Sequence, residues 1–117
     1  MILAVVDDLM VGVRIEEAAK AIGRNVETVA SCEEAGRGLR SGVVEGLVVD
    51  LAISGLDIDE LVRGAREAPA WLIAFHPHVN VELRSAAQRA GIERVYPRSR
   101  FLRDLPEILL ERLDKKR

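Results

Sequence analysis

The stretch that most constrains this chain is Gly46-Leu47-Val48-Val49-Asp50-Leu51. It is short, β-branched and almost wholly apolar, and it carries one carboxylate near its end. A run like this, with no polar residue alternating into it, reads as a strand buried on both faces, which means the middle of a parallel sheet. Open parallel sheets bind their ligands just beyond the carboxyl ends of the strands. Asp50 therefore marks the edge where chemistry is to be sought.

The other apolar runs fit the same sheet. Ile2-Leu3-Ala4-Val5-Val6 is a second buried strand and ends in Asp7-Asp8. Asn25 to Ala30 is a more polar strand, as suits a sheet edge; Trp71 to Phe75 is a fourth and Ile92 to Tyr96 a fifth. Helical patterns separate them. Val11, Ile15, Ala18, Ala19 and Ile22 fall on one helical face, with Gly23 as a stop. Ser31-Cys32-Glu33-Glu34 has the form of a capping box and opens a second helix to about Leu39. Asp57 with Glu60 opens a third, through about Arg66, which Pro69 stops. Asn80 is a cap for a fourth, striped by Leu83, Ala86, Ala87 and Ala90 and closed by Gly91. Pro97 to Arg100 reads as a loop. The last helix carries Leu102, Leu105, Ile108, Leu109 and Leu113, with Pro106 in its first turn or a break near Asp104. The Lys115-Lys116-Arg117 tail is expected to fray.

Five strands alternating with five helices predict an α/β domain with right-handed crossovers, spanning residues 1–117 as one unit. All five strand ends then reach one rim, which would carry Asp7, Asp8, Asp50, His76 and Arg98. Composition narrows the partners. The net charge is −2 with basic and acidic residues intermixed, which gives no reason to expect nucleic acid or an anionic membrane. Aromatics at 3% are too few for a base-stacking platform. The one cysteine, Cys32, excludes an internal disulfide and reads as structural. There is no export signal and no apolar run of bilayer length, so a cytoplasmic protein is expected. Neither a Walker pattern nor GxGxxG occurs, and no nucleophilic triad can be assembled.

Three passages carry a resemblance: Ile2 to Asp8 followed by a helix with Val13-Arg14-Ile15; Leu47-Val48-Val49-Asp50-Leu51; and Ala86-Ala87-Gln88-Arg89-Ala90-Gly91 leading to Val95-Tyr96. Together, over essentially the whole chain, they resemble the receiver domain of response regulators, the flavodoxin-like fold typified by the chemotaxis regulator. The resemblance implies a doubly wound five-stranded parallel sheet of order 2-1-3-4-5. It implies Asp50 as phospho-acceptor, Asp7 and Asp8 joining it to hold Mg²⁺, and Tyr96 as the switch-like aromatic. A carboxylate accepts a phosphoryl group poorly unless the charge around it is neutralised, which is the work of a metal and of a cation from strand five.

The sequence departs from that pattern at defined places. Phe75 stands where the family has a strand-four hydroxyl, with Ala74 there if the gap moves by one. Arg98-Ser99 replaces a Lys-Pro pair, and Ala52-Ile53 and Ile58 replace the Met-Pro and Gly of the loop after Asp50. Arg98 has two readings: a contact to a phosphoryl oxygen, or a salt bridge to one of the aspartates or a solvent-facing loop charge. The three acids likewise are either a metal site or acidic caps on the loops and helices beyond the strands. His76 and His78 are read as loop histidines in preference to transition-metal ligands.

These residues leave three functional readings. The first is a stand-alone receiver in a phosphorelay, not an enzyme, that takes phosphate on Asp50 from a histidine kinase or similar donor. It would act on a protein partner, or as a homodimer, through helix four, strand five and helix five. The second is a phosphorylation-independent pseudo-receiver serving as an interaction or dimerisation module. The third and weakest is a small metal-dependent hydrolase.

Overall fold

The computed structural model describes residues 1–77 and 81–115, with side chains through residue 113 at the carboxyl end. His78, Asn80 and the tail from Lys116 lie outside the described residues, and with them the expected cap at Asn80 and the expected fraying of the tail. The two most apolar runs form the central strands, β1 (Ile2–Val5) and β3 (Gly46–Asp50), and every residue of both is buried. β2 (Val26–Val29) lies outside β1, while β4 (Trp71–His76) and β5 (Arg94–Pro97) continue on the other side of β3. All pairings are parallel and the order is β2-β1-β3-β4-β5. The half-exposed burial of β2 matches its polar, edge-like sequence.

Helices cover both faces: α1 (Leu9–Ala21), α2 (Cys32–Arg40), α3 (Ile58–Glu67), α4 (Val81–Ala90), α5 (Arg98–Arg103) and α6 (Leu105–Lys115). Because strand side chains alternate, Ile2, Ala4, Val48, Ile73 and Phe75 meet α1, α5 and α6 in one apolar layer. Leu3, Val5, Leu47, Val49 and Ala74 meet α2, α3 and α4 in the other. Two glycines set close approaches. A Cβ on Gly38 would lie 2.9 Å from a Leu3 methyl, and one on Gly46 would fall 2.0 Å from the Trp71 indole, which lies across that strand. The expected caps form: Ser31 Oγ accepts from the Glu34 amide, and Asp57 Oδ1 accepts from the Glu60 amide.

Three expectations are corrected. The described residues form six helical segments instead of five, and Pro97 to Arg100 is not a loop: α5 begins at Arg98, directly after β5. Phe101 explains this, since its fully buried ring anchors a segment otherwise too polar and too short to stand alone. The helix breaks at Asp104, and Pro106 occupies the first turn of α6, where a missing N–H costs little. Strand five also starts at Arg94 rather than Ile92; Ile92 instead sits in the turn, its amide bonded to the Ala87 carbonyl and its side chain in the core. No described helix is long and apolar enough to cross a membrane.

Candidate functional site

The parallel arrangement delivers the ends of β1, β3 and β5 to one rim. Asp7 and Asp8 follow β1, Asp50 is the last residue of β3, and Arg98 follows β5. Their roles differ sharply. Asp8 is the N-cap of α1: its Oδ1 accepts from the amides of Met10 at 2.9 Å and Val11 at 3.2 Å. Its other oxygen accepts from Arg98 Nη2 at 2.9 Å. The Val11 amide, followed by Arg98 and the Met10 amide, holds the Asp8 carboxyl below its ordinary range against the opposing effect of burial. Both readings that limited these residues to structural work, a cap and a salt bridge, are met in one carboxylate.

Asp50 is only 8% exposed, and its Oδ1 accepts from the Ala52 amide at 2.9 Å. Burial pushes its carboxyl above the ordinary aspartate range. The Ala52 amide opposes that, the negative charges of Asp7 and Asp8 add to it, and the Arg98 charge works against it. Asp7 itself is exposed.

A Mg²⁺ site at this rim would need several oxygen ligands left available to the ion. Among the described residues, no three acidic, histidine or cysteine side chains are grouped to hold a metal ion. Asp8 would have to release Arg98, or two helix amides, to become a ligand. As it stands the donor set does not fit the ion, and a guanidinium provides positive charge at the rim.

Next to Asp50 in the sheet register is Phe75. Its ring is 1% exposed and stacks on Phe101 of α5, with centroids 4.5 Å apart and planes 9° from parallel. Tyr96, beside Phe75 in β5, is buried against the same Phe101 ring at 6.4 Å, and the Arg100 guanidinium lies 5.6 Å from the centre of the Tyr96 ring. An apolar aromatic cluster thus lies beside Asp50 and against α5. Sequence reasoning missed Phe101. Its signal was present but faint: one of two phenylalanines in a chain poor in aromatics, four residues after Pro97. His76 ends β4 and is buried.

No protein-family model matches the chain, and neither does any curated protein. Solved structures do. The chain is similar to a receiver-domain protein of Methanospirillum hungatei, with a TM-score of 0.77 and 23% identity over 97% of this chain and 93% of the other. It is similar to the receiver domain of a sensor histidine kinase of Pseudomonas aeruginosa, which holds a magnesium ion in its active site cleft, with a TM-score of 0.77 and 22% identity over 94% and 93%. An orphan response regulator of H. pylori gives a TM-score of 0.80 at 14% identity over 96% and 94%. In its strand order and its helical layers the chain therefore has the fold of response-regulator receiver domains.

Proposed function

We propose that this chain is a single-domain, receiver-like signalling module of the pseudo-receiver kind, which acts by protein contact without a phosphorylation switch. One observation carries the reading: both oxygens of Asp8 are already engaged, one by two amides of α1 and the other by Arg98. A rim that carries its own cation has less need of a metal. Phe75 supports the reading, because the residue beside Asp50 supplies a ring in place of a hydroxyl. Leu9 and Met10, exposed on the first turn of α1 next to the rim, favour a protein partner. Contacts over α4, β5 and the last helix, here α6, with another protein or with a second copy, belong to the same proposal, as does a cytoplasmic setting.

A second reading keeps Asp50 as phospho-acceptor with a histidine kinase as donor. It is favoured by the position of Asp50 at the end of β3 and by the charge of Arg98, which reaches both Asp8 and Asp50. In that reading Arg98 would leave Asp8 for a phosphoryl oxygen, and Asp7, Asp8 and Asp50 would be the residues to hold Mg²⁺; the similar Pseudomonas receiver domain carries a magnesium ion in its active site cleft.

The test is a titration of isotope-labelled protein with Mg²⁺ and then beryllofluoride. The pseudo-receiver reading expects no saturable shift of the Asp50 and Tyr96 amides. Saturable shifts at both would replace it with the second reading.

A further inference from the structure

At the opposite end of the sheet, below the first residues of β4 and β5, a cavity of about 580 Å³ opens between the last turns of α3 and α6. Its size is that of a small-molecule site. Val62 and Ala65 give it an apolar side, and Arg66, Trp71, Glu93 and Arg112 give it a polar one. Arg112 is unusual among them. Its side chain is 6% exposed, yet its enclosed Nη2 makes no hydrogen bond among the described residues. The carboxylates within range stand too far for one: Glu111 Oε1 lies 3.6 Å from Nη2 and Glu93 Oε2 lies 3.7 Å from Nη1, both on largely solvated side chains.

The Trp71 indole N–H is likewise enclosed with no partner among the described residues. Enclosed donors in folded proteins nearly always find an acceptor, and a guanidinium keeps its charge wherever it is placed. Here the two residues that carry these donors line one cavity. Arg66 adds a second cation, its Nη2 packed so closely over Gly91 that a Cβ there would lie 2.7 Å away. Glu93 and Glu111 offset part of the Arg112 charge at ion-pair distance, but neither supplies the hydrogen-bond acceptor that its Nη2 lacks among the described residues.

We infer that this cavity is a binding site for a small oxyanion, the carboxylate or phosphate group of a metabolite-sized ligand. Arg112 grips the anion, the Trp71 indole donates to it or packs beside it, and Arg66 closes the solvent side. Oxygen acceptors of this type match the planar fork of a guanidinium and form its strongest hydrogen bonds. The site is separate from the acidic rim and does not depend on how that rim is used.

Trp71 is the chain's single tryptophan, so its emission reports on the cavity without interference. Inorganic phosphate and acetate would be titrated separately at constant ionic strength, with chloride as the control, following Trp71 fluorescence and the indole N–H resonance. The expected result is a saturable change with one or both oxyanions and none with chloride; which one binds identifies the headgroup. Arg112→Met should weaken binding by about tenfold or more, as loss of a charge-assisted hydrogen bond does. Arg66→Met should weaken it less, and Arg63→Met, on the far side of α3, should leave it unchanged. If Arg112→Met fails to fold, the wild-type and Arg66→Met titrations still decide. The inference is overturned if neither oxyanion gives a saturable change, or if binding in both arginine variants equals that of the native protein.

Discussion

Replacing Phe75 by threonine would give β4 the hydroxyl that the receiver pattern places beside the acceptor, and its cost can be worked from the packing. The ring is 1% exposed, so its removal empties a closed space between β4 and α5. Truncating a buried phenylalanine costs about 3–5 kcal/mol. A hydroxyl left facing that apolar space without a partner adds about 1–3 kcal/mol. A loss of about 4 kcal/mol or more is a large part of the roughly 5–15 kcal/mol that holds such a domain folded. Stacking on Phe101 should appear separately as a coupling of about 0.5–1.5 kcal/mol. The assay is urea unfolding followed by circular dichroism for Phe75→Thr. A double-mutant cycle of Phe75→Ala and Phe101→Ala isolates the pair. If Phe75→Thr costs less than about 1 kcal/mol, or the coupling lies within about 0.3 kcal/mol of zero, the ring pair is not what fastens α5, and the argument that it displaces the hydroxyl collapses.

Asp50→Asn should stabilise the protein at neutral pH, because burial raises the folded-state pKa of Asp50 and makes its ionised form a burden on the native state. The gain should shrink as pH falls through that raised value and vanish below the ordinary 3.8; thermal unfolding across pH measures it, each unit of pKa corresponding to about 1.4 kcal/mol, and a gain that grows towards acid would show the sign to be wrong. Arg98→Met frees one oxygen of Asp8 and removes the positive charge from the rim, so Mg²⁺ should shift the Asp8 and Asp50 amides of the variant, while the proposed reading expects no shift in the native protein. Continued indifference to the ion would mean that Arg98 is not what keeps metal out.

These predictions rest on features that were unequally visible in the sequence. The buried runs at Ile2 and Gly46 specify central parallel strands because a strand with no solvated face has no reason to alternate. The caps at Ser31 and Asp57 are local, made within three residues, so a short window suffices to read them. What could not be read is tertiary. Arg98 and Asp8 are ninety residues apart in the chain, and either aspartate of β1, or Asp50, was an equal candidate for its guanidinium. α5 was hidden because Pro97 offers it no side-chain cap and half of its residues are arginines; its reasons to form, the Phe75 ring above all, come from other elements. Arg112 reads as one more surface charge near a helix end until packing shows it enclosed.

The contacts around α5 bear on how such a domain could signal. A switch requires an element with two arrangements of similar free energy, so that a modification can tip the balance between them. Here α5 is tied at its first residue to Asp8 of the rim, at Phe101 to β4, and at Leu102 through its carbonyl to Arg14 of α1. Tyr96, the aromatic expected to move, is held between Phe101 and the Arg100 guanidinium. Displacing any one of these leaves the others, so a single event at Asp50 has to overcome several contacts made on different elements. The same redundancy suits a surface meant to be presented in one form. A guanidinium tethered to the chain pairs with Asp8 without any metal, and the stacked Phe75 and Phe101 rings offer a phosphoryl group no hydrogen-bonding side chain. On this reading the acidic rim is retained for what it does to α1 and α5, and the surface those helices present is constant.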